Sequence, residues 1–232
     1  MVLLALALGY FAYDKFVLDP KRDAALIEST TRQARSAADS RPAVDQSIAV
    51  LPFVNMSDDA DNEYFSDGLS EELLNLLAKI PELNVASRSS AFSYKGKDFK
   101  VSDVGRELNV AHVLEGSVRK AGNHIRITAQ LIKVKDGYHM WSETWDRTLD
   151  NIFAIQDEIA AAVVDRLEVS LLGSVPHVEE TDPEAYTLYL QALHFGSLLT
   201  PDGWDQSRIL IRQALEIDPE YASAWAELSR TY

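Results

Sequence analysis

Apolar and polar positions alternate along this chain in a readable order. Residues 47–53, SIAVLPF, form a short apolar run with β-branched residues, closed by Pro52, as a buried strand does. Further on, Leu69, Leu73, Leu76, Leu77 and Ile80 fall at i, i+4, i+7, i+8 and i+11, one continuous helical stripe. Ser66 or Asp67 is placed to cap that helix, Glu71 and Glu72 to suit its dipole, and Pro81 to end it. Residues 83–87 predict a second strand, 89–97 a polar turn, and 101–108 a short helix with Val101, Val104 and Leu108 on one face. Three period-two runs follow, 110–120, 124–135 and 138–147, separated by the hairpin signals Ala121-Gly122-Asn123 and Asp136-Gly137. Ile152, Ile155, Ile159, Val163 and Leu167 then mark a long helix from 151 to about 172, ended by Gly173. The order β-α-β-α-β-β-β-α predicts an α+β fold, a mixed sheet with helices packed on one face.

Outside this stretch the pattern changes. Residues 1–13, MVLLALALGYFAY, carry no charge, and Tyr10, Phe11, Tyr13 and Phe16 gather beside Lys15 as at a membrane–water interface. A signal peptide is the other reading of so short a run. It lacks a preceding Lys or Arg and a small-residue cleavage site, so residues 1–18 are read as the end of a transmembrane helix whose beginning lies upstream. Residues 19–46 mix both charges with Ala and Ser and predict a juxtamembrane helix fading into a linker.

Composition narrows the function classes. A net charge of −14 disfavours nucleic acid and anionic lipid, and the absence of cysteine removes disulfides and thiol chemistry. Asp58, Asp59, Asp61, Glu63 and Asp67 crowd ten residues, but the calcium-loop pattern fails: Tyr64 stands where Gly is needed and Ser70 where Glu is needed. The cluster is therefore read as an acidic connector, with no metal expected. Neither a phosphate-binding glycine loop nor a nucleophile elbow nor a zinc-protease motif occurs, so no catalytic residue and no cofactor is assigned. His112, His124, His139, His177 and His194 have no ligand spacing. Trp141, Glu143 and Trp145 share one side of the last strand with His139. They are sheet-face packing or, as function, anchors for a protein partner.

The segments SIAVLPFVNMSDDADNEYFSDGLSEELLNLLAKIPELNVASRSSAF, LNVAHVLEGSVRKAGNHIRITAQLI and WSETWDRTLDNIFAIQDEIAAAVVDRL resemble the TolB amino-terminal-like, or FlgO-like, domain over about residues 47–172. The resemblance implies a non-catalytic domain of bacterial membrane-anchored proteins. In that family it is commonly followed by tetratricopeptide repeats and sometimes preceded by a nucleotidyl cyclase or a DNA-binding domain. A periplasmic location follows from that architecture alone.

The tail agrees with it. Thr181-Asp182-Pro183-Glu184-Ala185-Tyr186 recurs as Ile217-Asp218-Pro219-Glu220-Tyr221-Ala222, and Trp225, Leu228 and Tyr232 occupy repeat-signature places. Trp225, Leu228 and Tyr232 are expected to pack back on Ile211, Ala214 and Leu215. The organisation expected is a membrane helix (1–18), a linker (19–46), an α+β domain (47–173), a second linker (174–181) and the start of a repeat array (182–232). Candidate partner-binding residues are Trp141, Glu143, Trp145, Tyr189, Trp225 and Tyr232. Two functions remain: a membrane-anchored interaction scaffold, or the regulatory region of a larger signalling enzyme with an upstream catalytic domain.

Overall fold

The computed structural model describes residues 44–169 and 174–231. The expected membrane helix and first linker lie outside the described residues, as do Gly173 and Tyr232. Among the described residues no helix is long and apolar enough to cross a membrane.

The α+β reading holds. Strand β1 (Val44–Val50) pairs in parallel with β3 (Asn84–Val85) on one side and with β4 (Val110–Ala121) on the other. Strand β5 (His124–Lys133) runs antiparallel to β4, and β6 (His139–Thr148) antiparallel to β5. The order β3-β1-β4-β5-β6 makes a mixed sheet. A two-residue strand, β2 (Val54–Asn55), also pairs with β4, so β1 and β2 are one strand line interrupted at Leu51-Pro52-Phe53. Pro52 has no N–H for a ladder, which is why the line breaks there.

Helix α1 (Glu63–Ala78) starts earlier than its apolar stripe suggests, behind a 3-10 turn at Ala60–Asn62. Helices α2 (Arg88–Phe92) and α3 (Val101–Leu108) follow, the former within a stretch expected to be a turn. Asn109 takes a left-handed conformation, φ 52°, and ends α3 one residue before β4. Helix α4 spans Ile152–Arg166.

The expectation of helices on one face is corrected. Ile48 and Val50 lie in the main core with α1 and α4, whereas the intervening Ala49 and Leu51 lie in a second cluster with Ala91, Tyr94, Val104 and Val113. Successive strand residues point to opposite faces, so an unbroken apolar run in β1 requires cover on both. Helices α2 and α3 supply the second cover. Strands β5 and β6 alternate polar and apolar, and their Arg126, Thr128, Thr144 and Asp146 side stays open to solvent.

Three more helices follow: α5 (Pro183–Ser197), α6 (Pro201–Ile217) and α7 (Ala222–Arg230). They do not form a core of their own. Tyr186, Leu190, Ile211 and Ala224 are buried in the same cluster as Leu69, Leu73 and Ile155. The stretch 174–181, expected as a linker, is irregular but fastened: Asp157 of α4 accepts the Val178 N–H at 2.8 Å, and Thr181 donates to Asp218 at 2.5 Å. Glu179 accepts from the N–H groups of Ala222 and Ser223, capping α7 from outside that helix.

Gly116 sits at a close approach within the sheet. A Cβ there would stand 2.3 Å from the Thr128 carbonyl oxygen and 2.6 Å from the Phe53 ring. Phe53 can turn, but the backbone carbonyl cannot. Gly116→Ala is therefore expected to cost about 1–3 kcal/mol, read as a lower urea midpoint at unchanged slope. An unchanged midpoint would show that the sheet gives way at no cost.

Candidate protein-interaction surface

The residues proposed from sequence as partner contacts divide between surface and core. Trp145 pairs across the sheet with Ile127 and is only 3% exposed. Its indole N–H donates to Glu158 Oε2 of α4 at 2.6 Å, and Arg147 reaches the same carboxylate at 2.8 Å. Arg147 holds the Glu158 carboxyl below the usual range, against the effect of burial and with help from Trp145. Trp145 thus fastens β6 to α4 and, being buried, is not a surface anchor. Trp141 leans on it, ring centroids 5.7 Å apart, and is half-buried, while Glu143 is exposed.

His139 does not share their side. Trp141 faces Leu131 and His139 faces the next residue, Ile132, so Met140 is the extra residue of a bulge. The bulge turns His139 onto the opposite face. Of the other histidines, His112 is buried in β4 with Nδ1 3.2 Å from the Ser47 carbonyl, and His177 Nδ1 lies 2.9 Å from Asp157. Burial lowers the His112 pKa.

Trp225 is 54% exposed and donates its indole N–H to the Pro219 carbonyl at 2.9 Å. Its expected packing on Ile211, Ala214 and Leu215 is corrected. The inward stripe of α7 and the turn before it is Tyr221, Ala224 and Leu228, at i, i+3 and i+7. Trp225 lies one step round from that stripe. Tyr189 is only 6% exposed and is likewise an inward residue, its ring packed on Tyr221 at 5.2 Å. Tyr232 is outside the described residues.

The surface that remains is a helical pair with scattered apolar side chains. Trp204, Ile209, Ile217 and Trp225 are exposed, beside Leu198 and Leu199 in the α5–α6 turn. A groove of about 410 Å³ runs between the acidic connector and α5, lined by Ala60, Asp61, Glu63, Tyr64, His194 and Phe195 among others. The acids of the connector act structurally. Asp59 accepts from the Asp61 N–H at the 3-10 turn, and Glu63 and Asp67 both bind Lys95, at 2.8 and 2.5 Å. Among the described residues no group of three or more metal-ligating side chains converges.

Sequence patterning missed the junction between α1 and α5. Gly68 lets the helices close: a Cβ there would meet Leu190 Cδ2 at 2.7 Å. One turn on, Glu72 faces Tyr189, whose hydroxyl donates to Oε1 at 3.3 Å. Beneath it Gln156 of α4 donates to the Tyr186 hydroxyl at 2.6 Å. Burial raises the Glu72 pKa from 4.5 to about 7, with the negative charge of Glu71 adding to it. The available signal was Gly68 itself, a mid-helix glycine beside an otherwise strong stripe.

Comparison with known proteins places these features in context. The description of the HilA/YgeH-like transcriptional regulator, second domain, matches residues 44–162. A Rhizobium meliloti (strain 1021) protein named "Putative adenylate cyclase 3" is 44% identical over 191 residues, covering 79% of this chain and 32% of that protein. The chain therefore spans about a third of the length of that curated relative. Among solved structures, TolB from Acinetobacter baumannii is similar at 16% identity and TM-score 0.40, over 54% of this chain and 29% of the other. The LpoB C-terminal domain from Salmonella enterica is similar at 20% identity and TM-score 0.36, over 48% and 88%.

The two tryptophans should respond differently to truncation. Trp145→Ala is expected to destabilise the chain by about 3–5 kcal/mol. Trp225→Ala is expected to cost under about 1 kcal/mol. Denaturant titration of both variants reads the contrast, and equal losses would place Trp225 in the core after all.

Proposed function

The chain belongs to the family of the HilA/YgeH-like transcriptional regulator second domain, and we propose that it is a non-catalytic protein-interaction region regulating a larger signalling polypeptide. The observation that carries this is the 44% identity, over 191 residues, to a third of a protein named for adenylate cyclase activity. One module then accompanies two outputs, transcriptional control in the family's name and nucleotide cyclisation in the relative's. A region common to both serves neither chemistry in particular. What it offers each is contact and a joint.

The geometry supports such a role. Helices α5 to α7 are fastened on α1 and α4 through a close glycine contact and a polar junction, and they carry exposed apolar side chains outward. The partner is a protein engaging this helical segment, extended by the tetratricopeptide pattern of residues 182–232, with Trp141 and Glu143 as a secondary contact on β6. The second reading, a membrane-anchored scaffold with its soluble part in the periplasm, is favoured by the uncharged run of residues 1–13. The two readings are compatible, because an anchored regulator can use the same segment.

Two measurements test this. Incubated with ATP and magnesium, the 232-residue chain is expected to form no cyclic AMP. Cyclic AMP made by this chain alone would assign catalysis to it and overturn the regulatory role. Anchoring through residues 1–18 predicts that the intact chain stays with membranes after alkaline extraction, and its release uncleaved into the soluble fraction would remove the membrane from the proposal.

A further inference from the structure

We propose that the seating of α5–α7 on α1 is proton-controlled: Glu72 is protonated while these helices are docked and ionised when they lift away, so acid tightens the joint and alkali loosens it. This does not rest on the cyclase context; it follows from what surrounds one carboxyl group.

Glu72 lies on the side of α1 that faces α5, one turn beyond Gly68. Its own helix offers Glu71, Asn75 and Lys79, of which Asn75 hydrogen-bonds it and Lys79 is the cation acting on it. Helix α5 presents Tyr189 and Tyr186, and the turn before α7 presents Tyr221, three hydroxyls with no cation among them. Helix α4 contributes the neutral Gln156. The other cations near the junction are engaged: Arg88 binds Glu71 at 2.7 Å, and Arg230 binds Glu227 at 2.8 Å. Glu179 is taken up in capping α7. An ionised Glu72 in the docked state is thus desolvated by three aromatic side chains and placed beside the acid Glu71, with no ion-pair partner within 4 Å among the described residues. Lifting α5 away restores water to it.

The group is half-buried and not sealed, so protons reach it without unfolding. Its hydrogen bonds from Tyr189 and Asn75 favour the ionised form, and Lys79 does too, but burial and Glu71 outweigh them. The sign follows. With the docked pKa raised from 4.5 to about 7, docking is strongest below pH 4.5. It weakens as pH rises between the two values and is at its weakest above 7. The full span corresponds to a change on the order of 10²-fold in the docking equilibrium.

Hydrogen exchange on the full chain, corrected for intrinsic rates, tests this between pH 5 and pH 8. Protection in 183–230 is expected to fall on the order of 10²-fold at the alkaline end, while strands β4 and β5 keep theirs. Glu72→Gln, a stand-in for the protonated acid, should hold the acid level of protection at both pH values, and Glu71→Gln should retain most of the wild-type fall. A wild-type chain with pH-independent protection, or a Glu72→Gln chain that still loses it, would overturn the proposal. Should Glu72→Gln fail to fold, carbon NMR of the Glu72 carboxyl in the wild-type chain decides. A midpoint near 7 supports proton control, and one near the ordinary 4.5 defeats it.

Discussion

Helix α1 must satisfy two neighbours at once, and most of the structure depends on how it does so. Phe65, Leu69, Leu73 and Leu77 face the sheet and form the centre of the main core. Gly68 and Glu72 lie on the adjoining side, toward α5. The first face is apolar and close-packed, as a core requires. The second combines a missing side chain with an acid. Ser70 links the helix to the strand line as well, accepting the Phe53 N–H at 2.8 Å and donating to the Ser66 carbonyl at 2.7 Å. The interrupted strand, the helix and the C-terminal helices are thereby parts of one packed body, and a disturbance of α1 is felt in all three.

Much of this was legible in the sequence because the sheet obeys simple periods. The three alternating runs at 110–147 correspond closely to β4, β5 and β6, and the stripe from Leu69 to Ile80 marks the sheet-facing side of α1. The failures have identifiable causes. Ala49 and Leu51 belong to a second core cluster, and a continuous apolar run cannot announce which helices will cover its other side. The polar stretch at 89–97 hid α2, whose helix is fixed locally by Ser87 accepting from the Ser90 N–H. One bulge residue, Met140, separated His139 from the tryptophans, and a strict period of two has no place for it.

The candidate surface was less legible than the fold, for a related reason. Trp145, Tyr189 and Trp225 are all large amphipathic side chains, and sequence alone does not say which of their two natures a site will use. Trp145 and Tyr189 were placed inside, each with its polar atom near a carboxylate, at 2.6 and 3.3 Å. Trp225 lies outside because the inward stripe of this segment runs through Tyr221 and Ala224, and Trp225 falls one residue past it. The junction at Glu72 was hidden for the opposite reason: the apolar stripe alone makes this acid look like a first-turn residue suited to the helix dipole, whereas α1 begins at Glu63 and Glu72 stands in its middle.

The bulge in β6 has a further consequence for how copies of this protein behave in a crowded solution. This strand is the last in the sheet and has ten residues, long enough to recruit a stray strand from another molecule. Open edges of that length are templates for aggregation unless something spoils their regularity. Here the extra residue breaks the spacing of the free backbone groups near one end, and Glu143, Asp146 and Arg147 place charge along the rest. The same local irregularity that turns one histidine to the opposite face makes the edge a poor seed for sheet growth.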